Sequence, residues 1–419
     1  MPTMDKPRLR ATISGQVDAE DQNFIWLYDS ARLTQHALRI HRSAVNILEL
    51  FNGQHSVLDM QLALMKLNGG QLFPSDLLTG LAERLDQAMF LEGGRIQTKY
   101  DAFLNSTIRE AACIGAYEGE PTALQSQLRG LFTGIGGPGL PATPGMGPAE
   151  DSGSKPGAAR LRGALIPHID LYRGGTTFAW GFKELAEQTD AAVFVIIGTG
   201  HYTGHRFTLT RKSFRTPLGV AETDVEYVDR IAAVYGQHAF ADEVAHLPEH
   251  SIEFQVLFLQ YCVADRPFRI VPLLVGTFRD CVRQDTSPHE QADIYLMIQA
   301  LKRAEEESGQ RVCYISSGDL AHIGPKFGDD TPVRKELLEH SRKQDHAFLK
   351  TAASADRERL FHGVRDERDE RRLCGFPPTY TLLSVLEPDH GKLLHYDQYS
   401  HPSGFESVSF ASMGFYKRG

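Results

Sequence analysis

Three apolar runs in this sequence end in the same way, on a small-residue turn that leads into a histidine, and this recurrence constrains the fold more than any other feature. LRGALIPHIDLY places His168 just beyond the run 162–166, AAVFVIIGTGHYTG places His201 beyond 191–197, and VCYISSGDLAHIG places Asp319 and His322 beyond 311–315. A fourth run covers 268–275. Short continuous apolar runs of this kind read as strands buried on both faces. Segments with helical spacing at 177–187, 225–235, 251–261 and 292–307 separate several of them. The alternation predicts an α/β domain with a mainly parallel or mixed central sheet flanked by helices.

In an open parallel sheet the carboxyl ends of the strands face the crevice where ligands bind, so three strands can deliver imidazoles to one place. A single histidine at a strand end more often caps a turn or satisfies a buried carbonyl. Three at equivalent ends point to a metal site, because neutral imidazole ligates Fe, Cu and Zn. HLPEHSIEFQVLFLQY adds Glu249, His250 and Glu253, with His250 and Glu253 at a spacing that shares one helical face. The plainer reading is a helix N-terminus whose carboxylates complement the dipole while His250 packs. DERDERRLCGFPPTYTLLSVL places Cys374 between a charged run and a Pro-Pro pair that opens a helix. A thiolate there can ligate a soft or borderline metal, or act as a nucleophile if a histidine lowers its pKa, although an isolated cysteine is usually inert.

The chain has 419 residues, 42% hydrophobic and 23% charged, which suffices for one large core and a second small one. Its formal charge of -9 lacks the footprint of a dedicated nucleic-acid binder. No apolar stretch approaches the roughly 20 residues needed to cross a bilayer, and MPTMDKPRLRATISGQVDAED has no apolar signal core, so a cytoplasmic protein without a membrane partner is expected. Five widely spaced cysteines without a CxxC pair do not make a disulfide framework or zinc finger. Residues 133–160 are rich in Gly, Pro, Ala and Ser and read as a flexible linker or loop.

Ahead of that stretch, 23–30 reads as a strand and 41–50 as a helix, followed by an Asn52-Gly53 turn. Ser56 and Ser75 each precede an apolar-periodic run as helix caps, in the pattern of a small winged helix-turn-helix. The order of strand, HRSAVNILELFNGQHSVLDMQLAL and a helix ending in FLEGG resembles the PqqD-like recognition domains over 1–105. That resemblance implies a peptide held along a strand edge. A winged helix used for packing or dimerisation accounts for the same pattern.

IPHIDLYRGG, IIGTGHYTG, FRTPLG, EHSIEFQVLFLQY, IVPLLVG, SSGDLAHIG, CGFPPTYTLL and SVSFASMGFY, in that order, resemble the Memo family over about 112–416. GAYEGEPTALQSQLRGLF is similar to the family's N-terminal opening and moves the domain boundary to about residue 110, giving a Memo-like domain over 110–419. The family resembles class III extradiol dioxygenases. By that resemblance His168 and His201 are metal ligands, Cys374 takes the place of the dioxygenase carboxylate, and His322 is the acid/base histidine or an extra ligand. Asp319 orients His322, and Glu249, His250 and Glu253 line or support the cavity. The first motif reads IPHIDLY rather than APHAGY, which brings in Asp170, and Tyr202 follows His201 where the family has a second histidine.

The resemblance implies bound Fe or Cu, with Zn a further option because a thiolate ligand favours copper or zinc over a carboxylate triad. It also implies association with radical SAM and AMMECR-type proteins. Three functions follow as expectations: a metal-dependent redox protein of the oxygenase kind, a non-catalytic binding scaffold that uses the same cleft, and a metal-free cysteine-nucleophile enzyme with His322 or His250 as base.

Overall fold

The computed structural model describes residues 5–142, 159–263 and 266–418. The chain divides into two compact units, Met1–Ser106 and Thr107–Gly419. In the first, β1 (Ile13–Val17), β2 (Phe24–Asp29) and β3 (Ala37–His41) form an antiparallel meander with β2 in the middle. One short turn of helix, α1 (Val45–Leu48), and three longer helices follow: α2 (Val57–Leu67), α3 (Ser75–Gln87) and α4 (Gly94–Asn105). Leu27 and Ile40 from the sheet pack with Met60, Leu64, Leu78 and Leu85 from the helices.

Ser56 caps α2 in a reciprocal box with Asp59, each side chain accepting the other residue's backbone N–H. Ser75 does not cap α3. It is the first helical residue, and Pro74 stands at the cap position without a side-chain bond. Nor does 41–50 form one helix. His41 ends β3, and the α-helix is limited to Val45–Leu48, where β-branched Val45 and Ile47 flank Asn46 and none of the three favours extension. The strands β1 and β3 and the helix α4 carry too little apolar periodicity to have been anticipated.

The second unit opens with β4 (Ile108–Arg109) and α5 (Pro121–Thr133). Residues 143–158, most of the Gly/Pro-rich stretch, lie outside the described residues. Its last two positions, Ala159 and Arg160, already belong to β5 (Ala159–Ile166) rather than to a loop. Then come α6 (Leu171–Gln188), β6 (Val193–Thr199), β7 (Phe207–Leu209), β8 (Ser213–Thr216), β9 (Gly219–Ala221), α7 (Val225–Tyr235) and α8 (Glu253–Cys262). β10 (Arg269–Val275), α9 (Arg279–Gln284), α10 (Ala292–Ser308), β11 (Val312–Ser317) and β12 (His322–Ile323) follow. The unit closes with α11 (Lys335–Ala353), α12 (Arg357–Asp366), α13 (Phe376–Leu386), β13 (His390–Ser400) and β14 (Ser407–Arg418).

Eight of these strands form one mixed sheet in the order β12-β14-β5-β11-β6-β10-β7, with β13 paired to β14. The four apolar runs recognised in the sequence are its parallel centre, β5-β11-β6-β10. Strand alternation sends Val193, Val195 and Ile197 of β6 into one core layer with α7, α10 and α13, and Phe194 and Ile196 into the opposite layer with α6 and α8. Each such side chain, fully buried, contributes roughly 1.5–3 kcal/mol of apolar transfer. The FRTPLG motif becomes the β8–β9 hairpin, in which Thr216 pairs with Gly219, and Gly219 adopts φ +126° at the turn.

β11 enters the sheet between β5 and β6 although it follows both in sequence. The ends that carry His168, Asp319–His322 and His201 are therefore adjacent. Among the described residues no helix is long and apolar enough to cross a membrane.

Candidate functional site

His168 follows β5 and is buried, 2% exposed. Its backbone N–H donates to Asp319 Oδ1 at 2.9 Å, and Ile169 N–H donates to the same oxygen at 3.1 Å, so Asp319 pins the β5 turn from the β11 side. Nδ1 of His168 lies 3.1 Å from the Ser317 carbonyl, which places the proton on Nδ1 and leaves Nε2 as the lone-pair nitrogen. Burial, reinforced by the charge of a protonated His201, pushes the His168 pKa well below the ordinary histidine value. The ring is thus neutral and suited to ligation.

His201 follows β6. Its Nδ1 lies 3.0 Å from Glu249 Oε1, and its backbone N–H donates to Glu249 Oε2 at 2.8 Å. Glu249 is 1% exposed and also accepts the backbone N–H groups of His250 (2.9 Å) and Ser251 (3.0 Å). Burial by itself would raise this carboxyl, but His201, His250 and the Ser251 N–H hold it well below the usual carboxylate range.

The ring of His250 lies 4.8 Å from that of His201 and 5.1 Å from that of His168, centroid to centroid. The metal-binding atoms of His168, His201 and His250 lie within 4.8 Å of one another. His168, Asp319 and Cys374 form a second such group, so His168 belongs to both. Cys374 Sγ is 3.3 Å from His168 Nε2 and 3.6 Å from the Asp319 carbonyl.

Two glycines bring that thiol in. A Cβ on Gly318 would lie 2.2 Å from Gly375 Cα, and one on Gly375 would lie 2.5 Å from the Asp319 carbonyl oxygen, so only glycine permits the two chains to touch here. Pro377 and Pro378 fall in the first turn of α13, where their missing N–H groups cost nothing. Burial, with the nearby Asp319 charge, pushes the Cys374 thiol well above its ordinary pKa.

His322 stands apart from both donor groups and lines the same cleft, a cavity of about 420 Å³ that also includes His201 and Cys374. Asp319 does not hydrogen-bond the His322 ring. Nδ1 of His322 faces the carbonyls of Leu320 (3.1 Å) and Arg372 (3.2 Å), while the Asp319 carboxylate is committed to the β5 turn. Burial lowers the His322 pKa, against the opposing pull of Asp319.

Three further expectations need correction. Glu253 points away from the cleft. It is fully buried against Arg109 and Tyr117 and accepts the N–H groups of Ala112 (3.0 Å) and Cys113 (3.1 Å). His250 and Glu253 do not share a helical face, because α8 begins only at Glu253 and His250 precedes the helix. Asp170 is the N-cap of α6 and pairs with Arg173, so its carboxylate serves the helix rather than the metal-binding groups. Tyr202 packs against the His201 ring at 6.2 Å.

Sequence reasoning passed over the supporting hydroxyls and amide. Gln255 Nε2 donates to the Pro167 carbonyl and to Ser317 Oγ, each at 2.8 Å. Ser251 Oγ donates to the Thr199 carbonyl at 2.8 Å, and Thr199 Oγ1 to the Cys374 carbonyl at 3.0 Å. The doubled serines in YISSGD were the available signal, since adjacent polar residues inside an apolar strand need buried partners.

The fold and its histidine cleft define a class: an α/β protein with imidazole, thiol and carboxylate donors gathered at the carboxyl ends of adjacent strands. The profile of the Memo-like protein family matches residues 109–414, and the chain belongs to the Memo family. A MEMO1 family protein of Aquifex aeolicus is 25% identical over 379 residues, covering 88% of this chain and 90% of its own. One from Methanopyrus kandleri is 28% identical over 308 residues, covering 71% and 95%, and one from Methanobrevibacter smithii is 29% identical over 230 residues, covering 54% and 71%. The crystal structure of an uncharacterised Escherichia coli K12 protein, JW3007, aligns with a TM-score of 0.33 at 12% identity over 61% of this chain and all of that one, a likeness too low to bear on the fold.

Proposed function

We propose that this Memo-family chain is a metal-dependent redox protein of the oxygenase kind, acting on a small organic or peptide substrate in a radical SAM-associated system. The observation that carries the reading is the support behind the rings. Nδ1 of His168 is held by a backbone carbonyl and Nδ1 of His201 by a buried carboxylate, the arrangement that fixes ring orientation and raises ligand basicity in metal sites. A cluster used only for packing has no need of an ionised carboxylate behind an imidazole.

His168 and His201 would hold Fe or Cu, with His250 the third donor of the same group and Cys374, which groups with His168 and Asp319 instead, the alternative thiolate donor; Zn suits the same atoms. The metal would supply Lewis acidity and redox chemistry. His322 presents to the cleft a ring whose Nδ1 is already satisfied, so Nε2 is where it would hold or move a proton. In the first unit, β1 and β3 are sheet edges of the kind on which the PqqD-like resemblance would seat a peptide. Association with AMMECR-type proteins in the cytoplasm belongs to the same proposal.

The test is oxygen uptake by the metal-loaded protein with catechol-like and peptide substrates. Uptake that requires metal and drops at least about a hundredfold in His322→Gln supports the proposal, that being the scale of a positioned acid/base group. No uptake with any of the three metals contradicts it.

A further inference from the structure

The charged run DERDERR ahead of Cys374 has no part in the metal reading, yet it forms one wall of the cleft. A second cavity, of about 170 Å³, shares Arg279, Val282, Asp369 and Arg372 with the histidine cleft and adds Arg283, Arg368 and Glu370. Four guanidinium groups thus face two carboxylates, in a chain whose formal charge is -9.

Those carboxylates do not neutralise the arginines evenly. Asp369 Oδ1 accepts the Leu373 N–H at 2.8 Å and its Oδ2 lies 3.4 Å from Arg279 Nε. Arg372 donates to Asp329 at 2.6 Å and to the His322 carbonyl at 3.1 Å. Arg283 and Arg368 are exposed and form no ion pair among the described residues.

The backbone is held in an unusual way to present these groups. Arg368, Asp369 and Arg372 have φ of 54°, 51° and 54°, a left-handed conformation that residues bearing a Cβ rarely adopt. Such conformations persist where surrounding bonds over-determine them, and they collect at ligand clamps. The same loop holds the histidine, since the Arg371 carbonyl accepts the His322 N–H at 2.7 Å and the Arg372 carbonyl faces its Nδ1.

We propose that the loop 366–374 and helix α9 form an anion-binding subsite at the mouth of the histidine cleft, and that the substrate is an amphipathic small acid. Its aryl or alkyl part lies against Phe278, Phe327 and Phe376 of the cleft, and its carboxylate or phosphate is held by Arg283 and Arg368 with Arg279. Planar guanidinium groups bind either anion through paired N–H bonds, which a point-charge ammonium does not. This assignment of substrate class rests on the proposed reading of the cleft as the reaction site.

The experiment is calorimetric titration of the metal-free 419-residue chain with phenyl phosphate, benzoate and neutral benzyl alcohol, with metal stoichiometry measured separately on the same preparations. The anion suited to the subsite binds at least about tenfold more tightly than the alcohol, the size expected of charge-assisted bonds, and the Arg283→Gln/Arg368→Gln variant loses that preference. Which of the two anions leads tells a carboxylate from a phosphate substrate. The double lysine variant, which keeps charge but not the fork, retains part of the preference and guards against a folding defect in the glutamine variant. Equal affinity for the alcohol, no binding of either anion, or a preference that survives both variants overturns the subsite. Normal metal binding without anion preference would sink the subsite alone, and anion preference without metal binding would sink the metal reading alone.

Discussion

Cys374 Sγ lies 3.3 Å from Nε2 of His168, so the thiol and the most buried imidazole of the cleft contact each other directly. Burial drives the thiol pKa up and the imidazole pKa down, which makes the metal-free pair a neutral thiol beside a neutral ring rather than a thiolate beside an imidazolium. Alkylation of metal-free protein at neutral pH, followed by mass spectrometry, is therefore expected to be slower at Cys374 than for free cysteine. Fast labelling there would favour the metal-free nucleophile instead.

Glu249 stands behind His201 and accepts three backbone N–H groups, those of His201, His250 and Ser251. Glu249→Gln removes the charge that stabilises the His201 Nδ1 proton while keeping an acceptor oxygen. A loss of about 10–100-fold in metal affinity is expected, on the scale of other outer-shell changes, read by competition with a chelator. Unchanged affinity would mean that His201 is not a ligand.

The Arg109–Glu253 pair, with both side chains fully buried, serves stability rather than the cleft. Glu253→Gln leaves a guanidinium uncompensated in the interior and should cost about 3–5 kcal/mol in denaturant unfolding. Metal stoichiometry of the folded fraction should stay at the wild-type level. A stable variant with reduced metal binding would return Glu253 to the site.

Acidification should destabilise the metal-free protein from near neutrality downward. Buried His246 has its pKa lowered from 6.5 to about 3, chiefly by desolvation, and buried His168 moves in the same direction. Between about 3 and 6.5 the unfolded chain therefore binds more protons, so stability is fully present above 6.5 and declines as pH falls. Glu249, with a lowered pKa, adds to the decline below 4.5, whereas Asp319, raised by burial, opposes it just above its ordinary value. Melting temperatures across this range check the sign, and a Tm that rises between pH 6.5 and 5 would contradict it.

The parallel centre of the sheet was legible because β5, β6, β10 and β11 are buried on both faces and so appear as unbroken apolar runs. His168, His201 and Cys374 were legible because glycine and proline turns mark where backbone must approach closely. What failed was direction. Glu253 follows His250 by three residues, but the helix that would align them starts too late, and Arg109, far off in sequence, claims the carboxylate. Asp319 likewise turned to the His168 backbone, a tertiary contact that no spacing within SSGDLAHIG encodes. The hairpin β8–β9 and the two-residue β12 were missed because neither periodicity nor length sets such short strands apart from loops, whereas β13 is only partly buried along its length and β14, buried between β12 and β5, has its apolar run broken by the buried Ser407, Ser409 and Ser412.

A metal held at the carboxyl ends of β5 and β6 is tested by elemental analysis of protein purified without metal-affinity steps, beside His168→Ala, His201→Ala, His250→Ala and Cys374→Ala. One equivalent of Fe, Cu or Zn is expected in the wild type, lost in the first two variants, with the last two showing which neighbour completes the set. No bound metal in the wild type and no affinity on titration with any of the three would contradict it.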